Sequence, residues 1–219
     1  MAEFKYEFDY KKEIPERNKY YDMVGLRLWN LLKNLKYKDI KVKGRENIPK
    51  SGGYLITCNH FSGWDPIVLA SAFHPTQLHF IAKAEFFDTF YTRIPLLIFN
   101  GFPIDRTSLD FGAINYSKRL IKNGHPVLIF AQGTRQKNNN PPENFKSGAA
   151  IIIKTAKADV LPVSIKYRNE GSKRPTPYVS IGKLIPFEDF QMQKASKSKM
   201  MHNVVDRIEK EVVDLWKNS

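Results

Sequence analysis

The chain has 219 residues, 42% hydrophobic and 26% charged, with 35 basic against 22 acidic side chains for a net charge of +13. That size and composition suit one globular domain with a substantial core and exclude a disordered or low-complexity chain. A single cysteine, Cys58, excludes an intrachain disulfide framework and a cysteine-based metal cluster, while the surplus positive charge favours an acidic partner (nucleic acid, an anionic membrane surface, a phosphorylated substrate or an acidic carrier protein) unless the lysines serve solubility alone.

The opening stretch from Met1 to Tyr10 interleaves acidic and basic residues where a secretory leader needs an apolar core, so a cleaved signal is not expected. The lone cysteine accords with a reducing cytoplasm. Residues 17–36 carry the first amphipathic helix pattern, with Tyr20, Val24, Leu28, Leu31, Leu32 and Leu35 on one stripe and Lys19, Arg27, Asn30, Lys33 and Asn34 largely off it. Such a basic helix suits a headgroup layer, with Trp29 as an interfacial anchor, and suits packing on its own domain equally well. Residues 1–38 are accordingly set apart as an N-terminal amphipathic docking segment, and residues 39–219 as a single domain.

Ile40 to Lys43 and Gly53 to Cys58 read as short strands parted by turn residues Gly44, Pro49, Ser51 and Gly52. Asp65-Pro66 then starts a helix, since aspartate is a preferred cap and proline fits the first helical position; the helix stops near His74-Pro75. Beyond it, strands are predicted at 78–82, 99–104, 126–130 and 160–165, and helices at 85–91, 108–122 and 147–158. A strand at 178–181 and a closing helix at 196–217 complete the chain. The alternation predicts an α/β domain with a largely parallel sheet flanked by helices. No stretch is expected to span a bilayer: the best apolar run, Ile94 to Ile104, is broken by Asn100 and two prolines and falls short of the about 20 residues required.

Three polar clusters sit at predicted strand ends, where open α/β sheets place ligands. In Asn59-His60-Phe61-Ser62-Gly63-Trp64-Asp65, the carboxylate can fold back to hold the imidazole in one tautomer and leave the other ring nitrogen to remove a proton. A surface histidine beside a helix-capping aspartate would give the same letters. In Gly101 to Ser108, Arg106 can grip a phosphate beside two hydroxyls at a helix start, or form a surface pair with Asp105. Phe130-Ala-Gln132-Gly133-Thr134-Arg135 repeats the arrangement of apolar strand, glycine, hydroxyl and arginine. No helix-turn-helix, zinc-finger spacing or aromatic-basic strand motif supports nucleic acid as the partner.

Taken in order, these clusters resemble the glycerolipid acyltransferase family, most closely the bacterial lysophosphatidic acid acyltransferases. The resemblance covers about residues 40–170 and rests on four blocks: Asn59-His60 to Asp65, Gly101 to Arg106, Gln132-Gly-Thr-Arg135, and Val160-Leu-Pro-Val-Ser-Ile165. Ala82-Lys83-Ala-Glu85-Phe86 is similar to the lysine-containing stretch the family places between its first two blocks. Where the family usually has proline and glutamate before Gly-Thr-Arg, this chain has Ala131 and Gln132, which keeps the length of glutamate and loses its charge.

The resemblance implies transfer of a fatty acyl group from a thioester, on acyl-carrier protein or CoA, to the free hydroxyl of lysophosphatidic acid, with neither metal nor bound cofactor. It implies His60 as general base and Asp65 as its orienting partner, with Lys83, Arg106, Gln132, Gly133, Thr134 and Arg135 binding the substrate. Oxyanion donors are expected among the backbone amides of Phe61 to Gly63 or near Gly133. Other acceptors, such as glycerol-3-phosphate or a different lysophospholipid, and a non-catalytic lipid-binding relative are the alternatives. The protein is expected to lie peripherally on the cytoplasmic face of an anionic membrane, with the helix at 17–36 and Ile94 to Phe99 as its dipping elements.

Overall fold

The computed structural model describes residues 6–191 and 197–219. Its centre is a seven-stranded sheet of β1 (Lys41–Lys43), β2 (Leu55–Cys58), β3 (His79–Lys83), β4 (Gly101–Ile104), β5 (Val127–Phe130), β6 (Val160–Arg168) and β7 (Thr176–Ile181), in the order β1-β7-β6-β2-β5-β3-β4. Five of the six pairings are parallel, and only β6 and β7 run antiparallel. The central strands read as unbroken apolar runs because both faces are covered. All four residues of β2 are buried.

Side chains alternate between two cores, as a pleated strand requires. On one face Ile56, Cys58, Leu128, Phe130, Val163 and Ile165 pack under α1 (Arg27–Lys36) and α2 (Asp65–Phe73). On the other, Leu55, Val127 and Val160 pack under α5 (Phe111–Lys122), α6 (Gly148–Ala156) and α7 (Lys197–Lys217). The predicted start of the closing helix at Ser196 lies outside the described residues. Two shorter helices, α3 (Glu85–Asp88) and α4 (Phe90–Ile98), break at Thr89, where one helix over 85–91 is predicted. The stretch Ile94 to Ile98 is therefore helical. Strand β4 begins at Gly101 rather than Phe99, after Asn100 turns the chain with a positive φ of 58°.

The N-terminal helix differs from expectation at its start and in its orientation. A π-helical turn, Tyr21–Leu26, precedes α1, and Arg17 lies before it, bonded to Asp22. Trp29, expected as an interfacial anchor, is only 4% exposed: it stacks on Trp64 at 6.0 Å and meets Tyr37 edge-on at 5.9 Å. The exposed stripe is the aliphatic one, with Tyr20, Met23, Val24, Leu28, Leu31 and Leu35 all open to solvent. The Leu32 side chain lies outside the described residues. Tyr21, Leu26, Trp29 and Tyr37 belong to the same core as β2 and α2, so the segment before residue 39 is built into the fold rather than appended to it.

Beyond the last residue of β2, Asn59 continues the ladder with its side chain. Its amide nitrogen donates to the Ile165 carbonyl at 2.9 Å, and its amide oxygen accepts from the Ile165 amide at 2.8 Å. This two-way bond ties β2 to β6 where the backbones part, and Asn59 is 2% exposed. Asn59→Ala leaves a buried donor and acceptor of Ile165 unpaired, so it should lower unfolding free energy by about 1–3 kcal/mol in a urea titration. A change below about 0.5 kcal/mol would show that water takes over both bonds.

Candidate active site

His60, Phe61 and Ser62 leave the carboxyl end of β2 and turn back over the first turn of α2. Asp65 opens that helix, yet its carboxylate makes no cap bond; Trp64 occupies the cap position, with Pro66 in the first turn. Instead Asp65 Oδ2 faces the loop, where it accepts from the Phe61 amide at 2.7 Å and the Ser62 amide at 2.8 Å. The same oxygen meets His60 Nδ1 at 2.8 Å. Asp65 is entirely buried, while the His60 side chain is 18% exposed. A surface histidine beside a capping aspartate is thereby excluded. With Nδ1 held as a donor, the lone pair of the neutral ring lies on Nε2.

Three contacts fix His60 in addition. The Phe130 ring, at the end of β5, stacks on the imidazole with centroids 4.0 Å apart. The His60 backbone amide donates to Gln132 Oε1 at 2.9 Å, and the His60 carbonyl accepts from the Gln136 amide at 2.8 Å. Gln132 is itself buried, and its amide nitrogen donates to Gln136 Oε1 and to the Glu143 carbonyl, both at 3.2 Å. An ionised glutamate has no donor for the Glu143 carbonyl, which is a physical reason for glutamine at this position.

A cleft of about 620 Å³ opens over this dyad. His60, Lys83, Arg106 and Arg135 stand along it, and Leu28, Ile67, Phe86, Leu96 and Phe99 supply apolar wall. Gln132, Gly133 and Thr134 do not line it; they form the loop that brackets His60. Arg106 reaches across to donate to the Gly133 carbonyl, joining the loop after β4 to the loop after β5. Gly133 takes a positive φ of 72° in that loop, a conformation costly for other residues. Arg135 lies against the dyad loop, since a Cβ added at Gly63 would stand 3.5 Å from its Nη1.

Lys83, the last residue of β3, pairs with Glu85 at 2.5 Å. Burial alone would raise the Glu85 carboxyl, but the bond from Lys83, the bond to its own backbone amide, the charge of Lys83 and, least, that of Arg106 outweigh it and hold that carboxyl below its usual range. The hydroxyls expected to open a helix beside Arg106 do not: α5 begins at Phe111, capped by Asp110, whose Oδ1 accepts from the Ala113 amide at 2.9 Å. Thr107 closes a turn on Asp105 through its amide at 2.8 Å and its hydroxyl at 2.7 Å.

Two expected oxyanion donors are already committed, because the Phe61 and Ser62 amides serve Asp65. The Gly133 amide donates to the Phe130 carbonyl at 3.0 Å. Gly63, which lines the cleft, is the member of that set left over. Cys58, one turn of chain from His60, is fully buried, and burial pushes its thiol well above the ordinary range, so it supplies no thiolate. No cluster of three or more His, Cys, Asp or Glu side chains suited to a metal occurs among the described residues.

Sequence blocks missed one member of the site. The Tyr167 hydroxyl donates to Asp65 Oδ1 at 2.5 Å from the far end of β6. The sequence signal was its place in phase with Val163 and Ile165, which fixes its face; nothing in the letters links it to a carboxylate 102 positions earlier.

Comparison with known proteins assigns this architecture. A family model described as "Acyltransferase" matches residues 39–166. A 1-acyl-sn-glycerol-3-phosphate acyltransferase of Bacillus subtilis is 34% identical over 135 residues, covering 61% of this chain and 66% of that protein. One from Streptococcus pneumoniae is 33% identical over 144 residues, covering 65% of this chain and 51% of that protein. The chain thus spans between about half and two thirds of the length of these curated relatives. The crystal structure of the 1-acyl-sn-glycerophosphate (LPA) acyltransferase PlsC from Thermotoga maritima superposes with a TM-score of 0.60 at 25% identity, covering 89% of this chain and 78% of that one. The family match runs from just before β1 into β6 and takes in the dyad, the lysine and both arginines; the chain belongs to the acyltransferase family.

Proposed function

We propose that this protein transfers a fatty acyl group from a thioester donor to the free hydroxyl of lysophosphatidic acid, giving phosphatidic acid. The observation that carries the reading is one cleft holding an oriented His60–Asp65 dyad, three cationic side chains and an apolar wall. The names of the Bacillus subtilis and Streptococcus pneumoniae relatives support the same acceptor.

In this reading Lys83, Arg106 and Arg135 take the phosphate monoester and bring the acceptor hydroxyl to His60. Nε2 removes the hydroxyl proton as the oxygen attacks the thioester carbonyl. Asp65 stabilises the imidazolium that forms, the Gly63 amide faces the developing oxyanion, and the carbon–sulfur bond breaks. The imidazolium returns its proton to the leaving thiolate, so the donor carrier departs as a free thiol on acyl-carrier protein or CoA. No acyl-enzyme forms. The aliphatic wall from Leu28 to Phe99 accommodates the acyl chain.

No helix among the described residues is long and apolar enough to cross a membrane. We assign contact with an anionic lipid surface to the exposed stripe of α1, led by Leu31 and Leu35 at 74% and 76% exposure, and to Phe90 and Tyr91 on α4. These elements flank the cleft, as a lipid acceptor requires.

Three experiments test the reading. His60→Ala, folded by circular dichroism, should lose at least ~100-fold in turnover of lysophosphatidic acid; retention of more than about a tenth of wild-type activity would refute proton transfer by His60. Arg106→Ala and Arg135→Ala should each raise KM for the phosphorylated acceptor, with kcat/KM reduced by about 1.5–3 kcal/mol and the donor less affected. Equal losses toward donor and acceptor would mean that the arginines do not hold the phosphate, and faster turnover of glycerol-3-phosphate would move the assignment to that acceptor. Finally, the double variant Leu31→Asp, Leu35→Asp should keep its thermal midpoint yet lose the salt-resistant part of its sedimentation with vesicles containing anionic lipid. Undiminished binding would place the membrane contact elsewhere.

A further inference from the structure

We infer that Tyr167 is a positioning residue of the acyl-transfer site, acting through Asp65 on the orientation of His60. The inference rests on the reading of His60 as general base and adds a group that touches neither substrate. Tyr167 is 8% exposed and does not line the cleft. Its hydroxyl reaches the chemistry through a 2.5 Å bond to Asp65 Oδ1.

The two oxygens of the Asp65 carboxylate are held from different sides. Oδ2 is saturated by the Phe61 amide, the Ser62 amide and His60 Nδ1. Oδ1 is served by Tyr167. A carboxylate with no exposed surface needs donors on both oxygens to replace its lost hydration, and the carboxylate so held is what aligns the acceptor for His60 Nδ1. If Oδ1 loses its donor, the carboxylate lowers its energy by rotating toward another donor. That rotation removes alignment from the His60 bond while the peptide loop stays in place.

The phenol is suited to this task. Burial first, and then the adjacent Asp65 charge, push it far above its ordinary value, so it remains a donor throughout the range in which the protein is folded. Its ring cannot swing away: it lies against Phe61 at 5.1 Å and Tyr37 at 5.9 Å, and its backbone carbonyl accepts from Asn139 Nδ2 at 2.6 Å. The length of β6 places it there. The last β2 residue, Cys58, pairs with Val163, and β6 continues to Arg168 along β7, carrying Tyr167 past the end of β2 to the level of the dyad loop.

Tyr167→Phe removes the hydroxyl and keeps the ring. It should lower kcat about tenfold while KM for donor and acceptor stays within about twofold, because the lost bond orients the base and contacts no substrate. The losses from Tyr167→Phe and Asp65→Asn should be strongly non-additive in the double variant, since both act through one carboxylate. The His60 Nδ1 proton, identified in the NMR spectrum of ¹⁵N-labelled protein by its disappearance in His60→Ala, should shift or broaden in Tyr167→Phe without any substrate present. If Tyr167→Phe does not fold, 3-fluorotyrosine at position 167 keeps ring and hydroxyl, strengthens the donor and should move the same resonance. An unmoved Nδ1 proton, fully additive losses, or a loss confined to KM would each overturn the proposal. Because the resonance is read without substrate, wild-type protein inactive on lysophosphatidic acid would refute the acceptor reading alone, and the NMR arm would still decide the role of Tyr167.

Discussion

The structure turns on one buried negative charge. Moving an ionised carboxylate out of water costs several kcal/mol even after relaxation, and the cost is tolerable only where donors replace the lost hydration. Asp65 receives four, from two backbone amides, an imidazole and a phenol. Those donors come from the loop after β2 and from the end of β6, so the two strands must be neighbours and the loop must be short. The sheet order places β2 beside β6, and the Asn59 amide locks the pair at the point where the loop departs. The fold is thus organised around the same carboxylate that orients His60.

The cations opposite the dyad are held in place by the protein before any ligand arrives. Arg106 is anchored on the Gly133 carbonyl and Lys83 on Glu85, which stays ionised between the two positive side chains. In the proposed reading, a phosphate entering this corner would replace the Glu85 carboxylate on Lys83 with an anion of greater charge, so little reorganisation of the side chains would be required. The apolar wall needs no such preparation. Its shape follows from close packing of the N-terminal helix on α4: Gly25 lies so near Phe99 that a Cβ there would come within 2.8 Å of the ring.

Much of this was legible in the letters. The alternation of apolar runs with amphipathic segments gave the parallel sheet and nearly all of its elements, because strands buried on both faces and helices buried on one leave different periodicities. The histidine, aspartate and arginines stood out through four ordered blocks, and the lysine through a separate stretch between the first two. Their roles were harder to read. Asp65 looked like a helix cap because its side chain can reach either the helix or the loop, and the choice was made by two amides whose direction depends on how the loop turns. Trp29 looked like a membrane anchor because the stripe next to it is equally apolar; which stripe faces the core is a property of the partners Trp64 and Tyr37. Tyr167 had no sequence signal beyond its phase along β6, since its bond spans 102 positions.

The position of β1 in the sheet has a temporal consequence. This strand hydrogen-bonds to β7 alone, with Lys41 beside Tyr178, so it has no sheet partner until β7 has been made. On the ribosome the segment carrying α1 and β1 emerges well before β7 and waits for it, with its leucine stripe exposed. A nascent chain of this design carries an uncovered leucine stripe before it has an assembled sheet.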